Sequence, residues 1–359
     1  MKFPPLLGVR PFAALAMSVG VCSMQAATVV LPESAALPLG TSSQPGFVVR
    51  VAQGPVDPPL ANNSLRALAQ IHGLLTDDAG ELVVNEAVAG PGTGGSYNPK
   101  WVCFEKDGDW VDLYDLDANY LGGLPPDNYT QGDFFPGIPG TGGHTDNFVV
   151  EAVGFLELTA GEHTLAVSVA ADRTDVNNDD GFQVFVAQNP RDYFGMKVAE
   201  YQRIAPGFEP GWRNENSFTV QAPVAGLYPF RVLYWQTGLA ANLNFYSIDP
   251  VSGARIPVGD DQNAGAIKVY ASTTVAEAKG PYVVRISPSD GSEGNPAVDP
   301  VAVTISDGAA TVAAGDVSMF IDGADVTASL EASKSGSLVS AVYYPDAGRT
   351  DSVTDVRVE

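Results

Sequence analysis

Apolar and polar positions along most of this chain alternate with a period of two, the signature of strands that bury one face. The clearest run is 227–234, where Tyr228, Phe230, Val232 and Tyr234 share one phase and Leu227, Pro229, Arg231 and Leu233 the other. Ala225 and Gly226 form the turn before it, and a loop at 236–241 returns the chain into a partner strand. Similar runs predict strands at 47–51, 100–105, 109–113, 147–150 leading into 154–158, 163–169 and 182–186. One interval breaks the period. Between 62 and 75, Leu65, Leu68, Ile71 and Leu75 recur every three or four residues behind Asn63 or Ser64, which predicts a short N-capped helix. The stretch 90–145 is dense in Gly, Pro, Asn and Asp and predicts long surface loops.

The pattern changes again near 271–280, which is small and polar and reads as a linker. Beyond it, valine-rich runs recur at 282–287, 300–305, 317–321, 338–344 and 352–358, with a weak sixth at 326–330. That spacing suits an immunoglobulin-like sandwich, which needs about seven strands, so the expectation is a module cut off before its last strand. The predicted organisation is therefore all-β: a lead-in at 28–45, a large sandwich at 46–270, a linker at 271–280 and a partial immunoglobulin-like sandwich at 281–359.

The first 27 residues follow neither pattern. Lys2 and Arg10 flank a proline-containing start, an apolar run spans 11–22, and Ala26 and Ala27 are small, as in a secretory signal peptide. The apolar run is shorter than the roughly 20 residues a membrane helix requires. Loss of this segment would leave Cys103 as the only cysteine, so no disulfide within the chain is expected and stability must come from burial. The whole chain carries a formal charge of −23, and removing Lys2 and Arg10 lowers it by two to −25. Nucleic acid and anionic membrane surfaces are poor partners for such a protein.

Candidate chemistry concentrates at one turn. Asp172, Asp175, Asn177, Asn178, Asp179 and Asp180 supply hard oxygen ligands of the kind calcium takes, directly before Gly181 and a strand. The spacing is not that of an EF-hand, because Gly181 comes one place late and Val186 stands where the bidentate glutamate belongs. The plain alternative is a hairpin turn shaped by Asp, Asn and Gly181. A second acidic run, Asp107, Asp109, Asp112, Asp115 and Asp117, suits a solvated loop face. The three histidines, His72, His144 and His163, lack zinc-ligand spacing, and no G-x-S-x-G nucleophile elbow occurs. No catalytic site is expected.

The ordered phrases PGFVVRVAQ at 45–53, FPGIPG at 135–140, the DDGF turn at 179–182 and NAGAIKVY at 263–270 resemble protective-antigen-type domains. These are β-sandwiches of bacterial toxins, glycosidases, secreted bacterial surface proteins and yeast adhesins. The resemblance implies that Asp179 and Asp180 hold a calcium ion that in turn binds sugar hydroxyls, with Asn177 and, from a second loop at 236–242, Asn242 as further metal ligands. It points to Asp179, Asp180, Trp235 and Gln236 for carbohydrate contact. Tyr193, Phe194 and Tyr246 are further aromatics near these segments. The function implied is non-catalytic binding of a glycan or polysaccharide by a secreted or cell-surface protein. Two other classes stay open: a ligand-free spacer in a large surface protein, and the accessory region of a polysaccharide-degrading enzyme.

Overall fold

The computed structural model describes residues 28–58, 60–105, 133–170, 180–202, 213–238, 241–275, 280–288, 299–345 and 355–358. The predicted signal peptide, the 109–113 strand and the acidic residues at 107–117 lie outside them.

Two seven-stranded sheets account for the chain from Val29 to Thr273. One runs in the order Val29–Val30, Arg213–Ala222, Gly161–Ala170, Asn242–Ile248, Cys103–Glu105 and Asp133–Phe134, with Arg255–Pro257 also paired to Asn242–Ile248. The other runs Ser42–Pro45, Val269–Thr273, Phe148–Leu158, Gly226–Trp235, Gly181–Val186 and Met196–Gln202, with Val48–Gln53 on Phe148–Leu158. The sequence therefore folds as an all-β sandwich.

Register explains the alternation. In the pairing of Gly226–Trp235 with Phe148–Leu158, Tyr228 lies opposite Leu156, Val232 opposite Ala152 and Tyr234 opposite Val150. All of these enter the core between the sheets, where Phe135 stacks on Tyr234 at 5.4 Å and meets Phe148 edge-on at 4.8 Å. Aromatic pairs in this geometry add to the stabilisation from burial itself. Gly154 lies opposite Phe230 because a Cβ there would stand 2.5 Å from Val269 and 2.7 Å from Phe47. The other phase, Arg231, Leu233 and Trp235, faces outward from the sandwich and is nonetheless buried.

The helix Ser64–Ile71 covers part of that outer face. Asn63 caps it, its Oδ1 accepting the Arg66 N–H at 2.8 Å. It ends one turn earlier than predicted, because Gly73 adopts a left-handed φ of 66°. Its buried side chains are Arg66, Ala67, Gln70 and Ile71, while Leu65 is half exposed. The stripe therefore turns away from the predicted leucines, because the helix rests partly on strand-end carbonyls that need donors.

The segment 28–45 is no detached lead-in. Val29–Val30 pairs in parallel with Arg213–Ala222, Ser42–Pro45 pairs with Val269–Thr273, and Leu31 and Ala35 are core residues. Val269–Thr273 likewise carries the sheet past residue 271, into the predicted linker.

From Tyr282 onward a four-stranded and a three-stranded sheet enclose a second core of Val301, Val303, Val317, Met319, Ile321, Val339 and Ala341. The described residues thus give seven strands here where the sequence reading finds six. Leu330–Ser335 has almost no apolar side chains, Ala324–Asp325 has only two residues, and the expected strand at 326–330 is largely the turn Thr327–Ser329.

Candidate functional site

At one end of the large sandwich Gln53, Phe148, Trp235 and Gly181 lie side by side across adjoining strands: Gln53 opposite Phe148, Val149 opposite Trp235, and Trp235 opposite Gly181. Asp180 immediately precedes Gly181 and is 1% exposed. Its Oδ2 accepts the backbone N–H of Asn242 at a long 3.5 Å, and Asn242 opens a strand of the opposite sheet. The carboxylate therefore ties together the two loops singled out by the sequence. Asn242 is also 1% exposed, and its Oδ1 has no hydrogen-bond partner among the described residues. A buried carboxylate and the backbone of Asn242 thus meet where the sheets converge. Asn177 and Asp179 lie outside the described residues. Among those described, no group of three or more His, Cys, Asp or Glu side chains is placed to hold a metal.

Trp235 and Gln236 do not reach the surface; both are fully buried. The indole packs with Ala52, Ala67, Ile71, Val149 and Leu233 beneath the helix. Gly181 is required beside it, since a Cβ there would come within 2.4 Å of the ring. Gln236 donates through Nε2 to the Thr145 carbonyl at 2.7 Å, and its own carbonyl accepts from Arg66 Nη2 at 3.1 Å. The expectation that these two side chains stack on or bond to a sugar is corrected: the helix occupies the face they would have offered. Tyr246 is buried too, whereas Phe194 is 63% exposed with Tyr193 edge-on at 5.3 Å.

Two polar arrangements escape the sequence reading. The first is the underside of the helix. Arg66 donates through Nε to the Ala61 carbonyl at 2.8 Å and through Nη1 to Gln70 Oε1 at 2.6 Å, in addition to the Gln236 carbonyl. Gln70 donates to the Asn147 carbonyl at 2.8 Å and to that of Ala52 at 3.2 Å. These bonds give side-chain donors to carbonyls at three adjacent strand ends, where buried backbone acceptors need partners.

The second lies on the outer face of the same sheet. Glu151, fully buried, accepts at Oε1 from Arg50 Nε at 2.8 Å and Arg191 Nε at 2.7 Å. Arg231, 1% exposed, lies 4.3 Å over the Phe185 ring and donates to the Arg191 carbonyl at 3.4 Å. Burial opposes ionisation of Glu151, but the guanidinium charges of Arg50 and Arg191 outweigh it and hold the carboxyl well below the usual range. Burial lowers the Arg231 pKa to about 10, lowers that of His72 to about 4, and raises that of Asp192. The sequence does carry a signal for this cluster. Glu151 and Arg231 are single charges inside otherwise apolar runs, and a buried charge demands a partner.

No protein-family model matches the chain, and no curated protein matches it in sequence. Among solved structures, it is similar to the PA14 domain of the MpAFP antifreeze protein at 13% identity and TM-score 0.34, over 64% of this chain and 92% of that one. It is similar to the A domain of epithelial adhesin 9 from Candida glabrata, in complex with Galβ1-4GlcNAc, at 12% identity and TM-score 0.34, over 67% and 94%. A PA14 sugar-binding domain from an RTX adhesin gives 16% identity and TM-score 0.31, over 60% and 95%.

Proposed function

We propose that the large sandwich is a non-catalytic, protective-antigen-type module that binds carbohydrate through calcium at the loop pair 179–181 and 236–242. The observation that carries this reading is the contact of the buried Asp180 carboxylate with the backbone N–H of Asn242, whose side-chain oxygen has no partner among the described residues. Calcium takes six to eight oxygen ligands and tolerates irregular geometry, so such a pair supplies part of a coordination shell. Asp179 and Asn177, adjacent in sequence, would supply more. Calcium bound there would present open positions to vicinal sugar hydroxyls. Trp235 and Gln236 act in this scheme from beneath, as the packed floor that sets the positions of Gly181 and the 236–242 loop. We place the protein outside the cell, exported by residues 1–27, in adhesion or polysaccharide capture, with an immunoglobulin-like module following the sandwich.

The spacer reading has one observation in its favour, the complete burial of Trp235, which leaves no stacking face at that position. Calorimetric titration of calcium into the chelator-treated protein separates the two. The binding reading expects saturable uptake that disappears in Asp179→Ala/Asp180→Ala, and a glycan-array signal that requires calcium. Absence of calcium uptake by the correctly folded wild type would sink it and leave the spacer.

A further inference from the structure

The outer face of a sandwich sheet ordinarily meets water and carries polar, exposed side chains. Here the face bearing Glu151 and Arg231 is closed, with both residues at 1% exposure or less. Part of the cover is the 187–195 segment, whose Arg191 reaches Glu151. The second sandwich touches the residues around it. The backbone N–H of Tyr193 donates to the Val283 carbonyl at 2.7 Å, and Arg285 Nη1 donates to the Leu74 carbonyl, just past the helix, at 3.4 Å. Tyr282 lies close enough to Arg50 to influence its charge. Val284, between these contacts, is 1% exposed yet does not belong to the second sandwich's own core. It occupies the bulge at which the pairing of Tyr282–Ser287 with Val301–Ser306 slips by one residue. A bulge re-aims a side chain out of its own sheet.

We propose that this face is an intramolecular docking seat: the second sandwich plugs onto the first through 282–285, over the Glu151–arginine cluster, and the two move as one body. The occupant is the chain's own strand Tyr282–Ser287, and the contact chemistry suits it. The seat neutralises much of its own charge through Glu151, so it demands from its partner backbone acceptors and an apolar plug rather than a counter-ion. The strand supplies the Val283 carbonyl and the Val284 side chain. The tether is short as well: residues 274–281 span at most about 29 Å at ~3.6 Å per residue. Short tethers raise the effective concentration of the partner, so a modest contact suffices to keep it docked. A ligand held by the 180 and 242 loops would then be held at a fixed attitude to the second sandwich, which freely jointed modules could not do.

Disulfide trapping in the full-length protein tests this. Tyr193→Cys/Val283→Cys places thiols on the two hydrogen-bonded backbones, while Val251→Cys/Val283→Cys uses a 94% exposed residue on a turn away from the seat as the control. Cys22 is replaced by serine, and the native Cys103 is buried and does not compete. A docked pair is expected to cross-link at least about tenfold faster than the control at equal oxidant, the ratio reporting effective concentration. Adding Val284→Asp to the trapping pair, with unchanged circular dichroism as proof of folding, is expected to bring the rate down to that of the control. Equal rates for the two pairs overturn the proposal. An unchanged trapping rate with Val284→Asp overturns the assignment of Val284 as the plug.

Discussion

Glu151→Gln probes the electrostatics of the outer-face cluster, because the replacement keeps the shape of the side chain and one accepting oxygen, removes the charge and turns the other oxygen into an amide donor. In the wild type the carboxylate is fully buried and engages Arg50 at 2.8 Å and Arg191 at 2.7 Å, with Arg231 also within its field. Removing one partner of such a group leaves guanidinium charge uncompensated, a loss of about 3–5 kcal/mol. With a urea dependence of about 2–3 kcal/mol per molar for a module of this size, the unfolding midpoint is expected to fall by about 1–2.5 M. All four tryptophans, Trp101, Trp110, Trp212 and Trp235, precede the second sandwich, so tryptophan fluorescence follows the first. Adding Arg231→Met to Glu151→Gln removes one of the stranded cations and is expected to recover part of the loss, giving a non-additive cycle. The pH dependence has a definite sign. A carboxyl whose folded pKa is depressed contributes fully above its unfolded value near 4.3, and the contribution is lost as pH falls through the folded pKa. Wild type is therefore expected to lose this stability only below about pH 4, and the variant to lack that part of the acid transition. A midpoint shift under about 0.5 M at pH 7, or strict additivity with Arg231→Met, would mean that the buried charges do not depend on one another.

Gly181→Ala places a methyl 2.4 Å from the Trp235 ring and is expected to cost about 1–3 kcal/mol by overpacking, visible as a lower thermal midpoint; an unchanged midpoint would mean that the ring moves freely. Arg66→Met keeps the apolar stem and removes the donors to the Ala61 and Gln236 carbonyls, with an expected loss of about 1–3 kcal/mol. Amide exchange measured by mass spectrometry should then rise at 235–238, and protection equal to wild type would show that the helix does not hold this loop. His72 should titrate near 4 by proton NMR, because burial disfavours its charged form. Since its folded pKa lies below the unfolded value near 6.5, the stability it contributes is lost as pH falls from 6.5 towards 4, and an ordinary titration midpoint would contradict the burial described.

Period alone determined the all-β class and the faces of the main strands. Once Tyr228, Phe230, Val232 and Tyr234 share a phase, one register puts them all in the core. The capped helix was equally legible from Asn63, because capping is a local interaction. What the sequence could not supply was anything that depends on which strands become neighbours. The segment 28–45 and the strand Leu330–Ser335 carry little alternation and are ordered by the partners they pair with. Asp180 and Asn242, 62 residues apart, could be matched by resemblance, but only the stacking of the two sheets brings carboxylate and amide together. The resemblance named Trp235 for sugar contact, and its phase points away from the core between the sheets; the helix that covers it is 164 positions away in the chain at Ile71. Glu151 and Arg231 interrupt apolar runs, but their partners Arg50 and Arg191 come from separate segments, and long-range electrostatic pairing leaves no period to read.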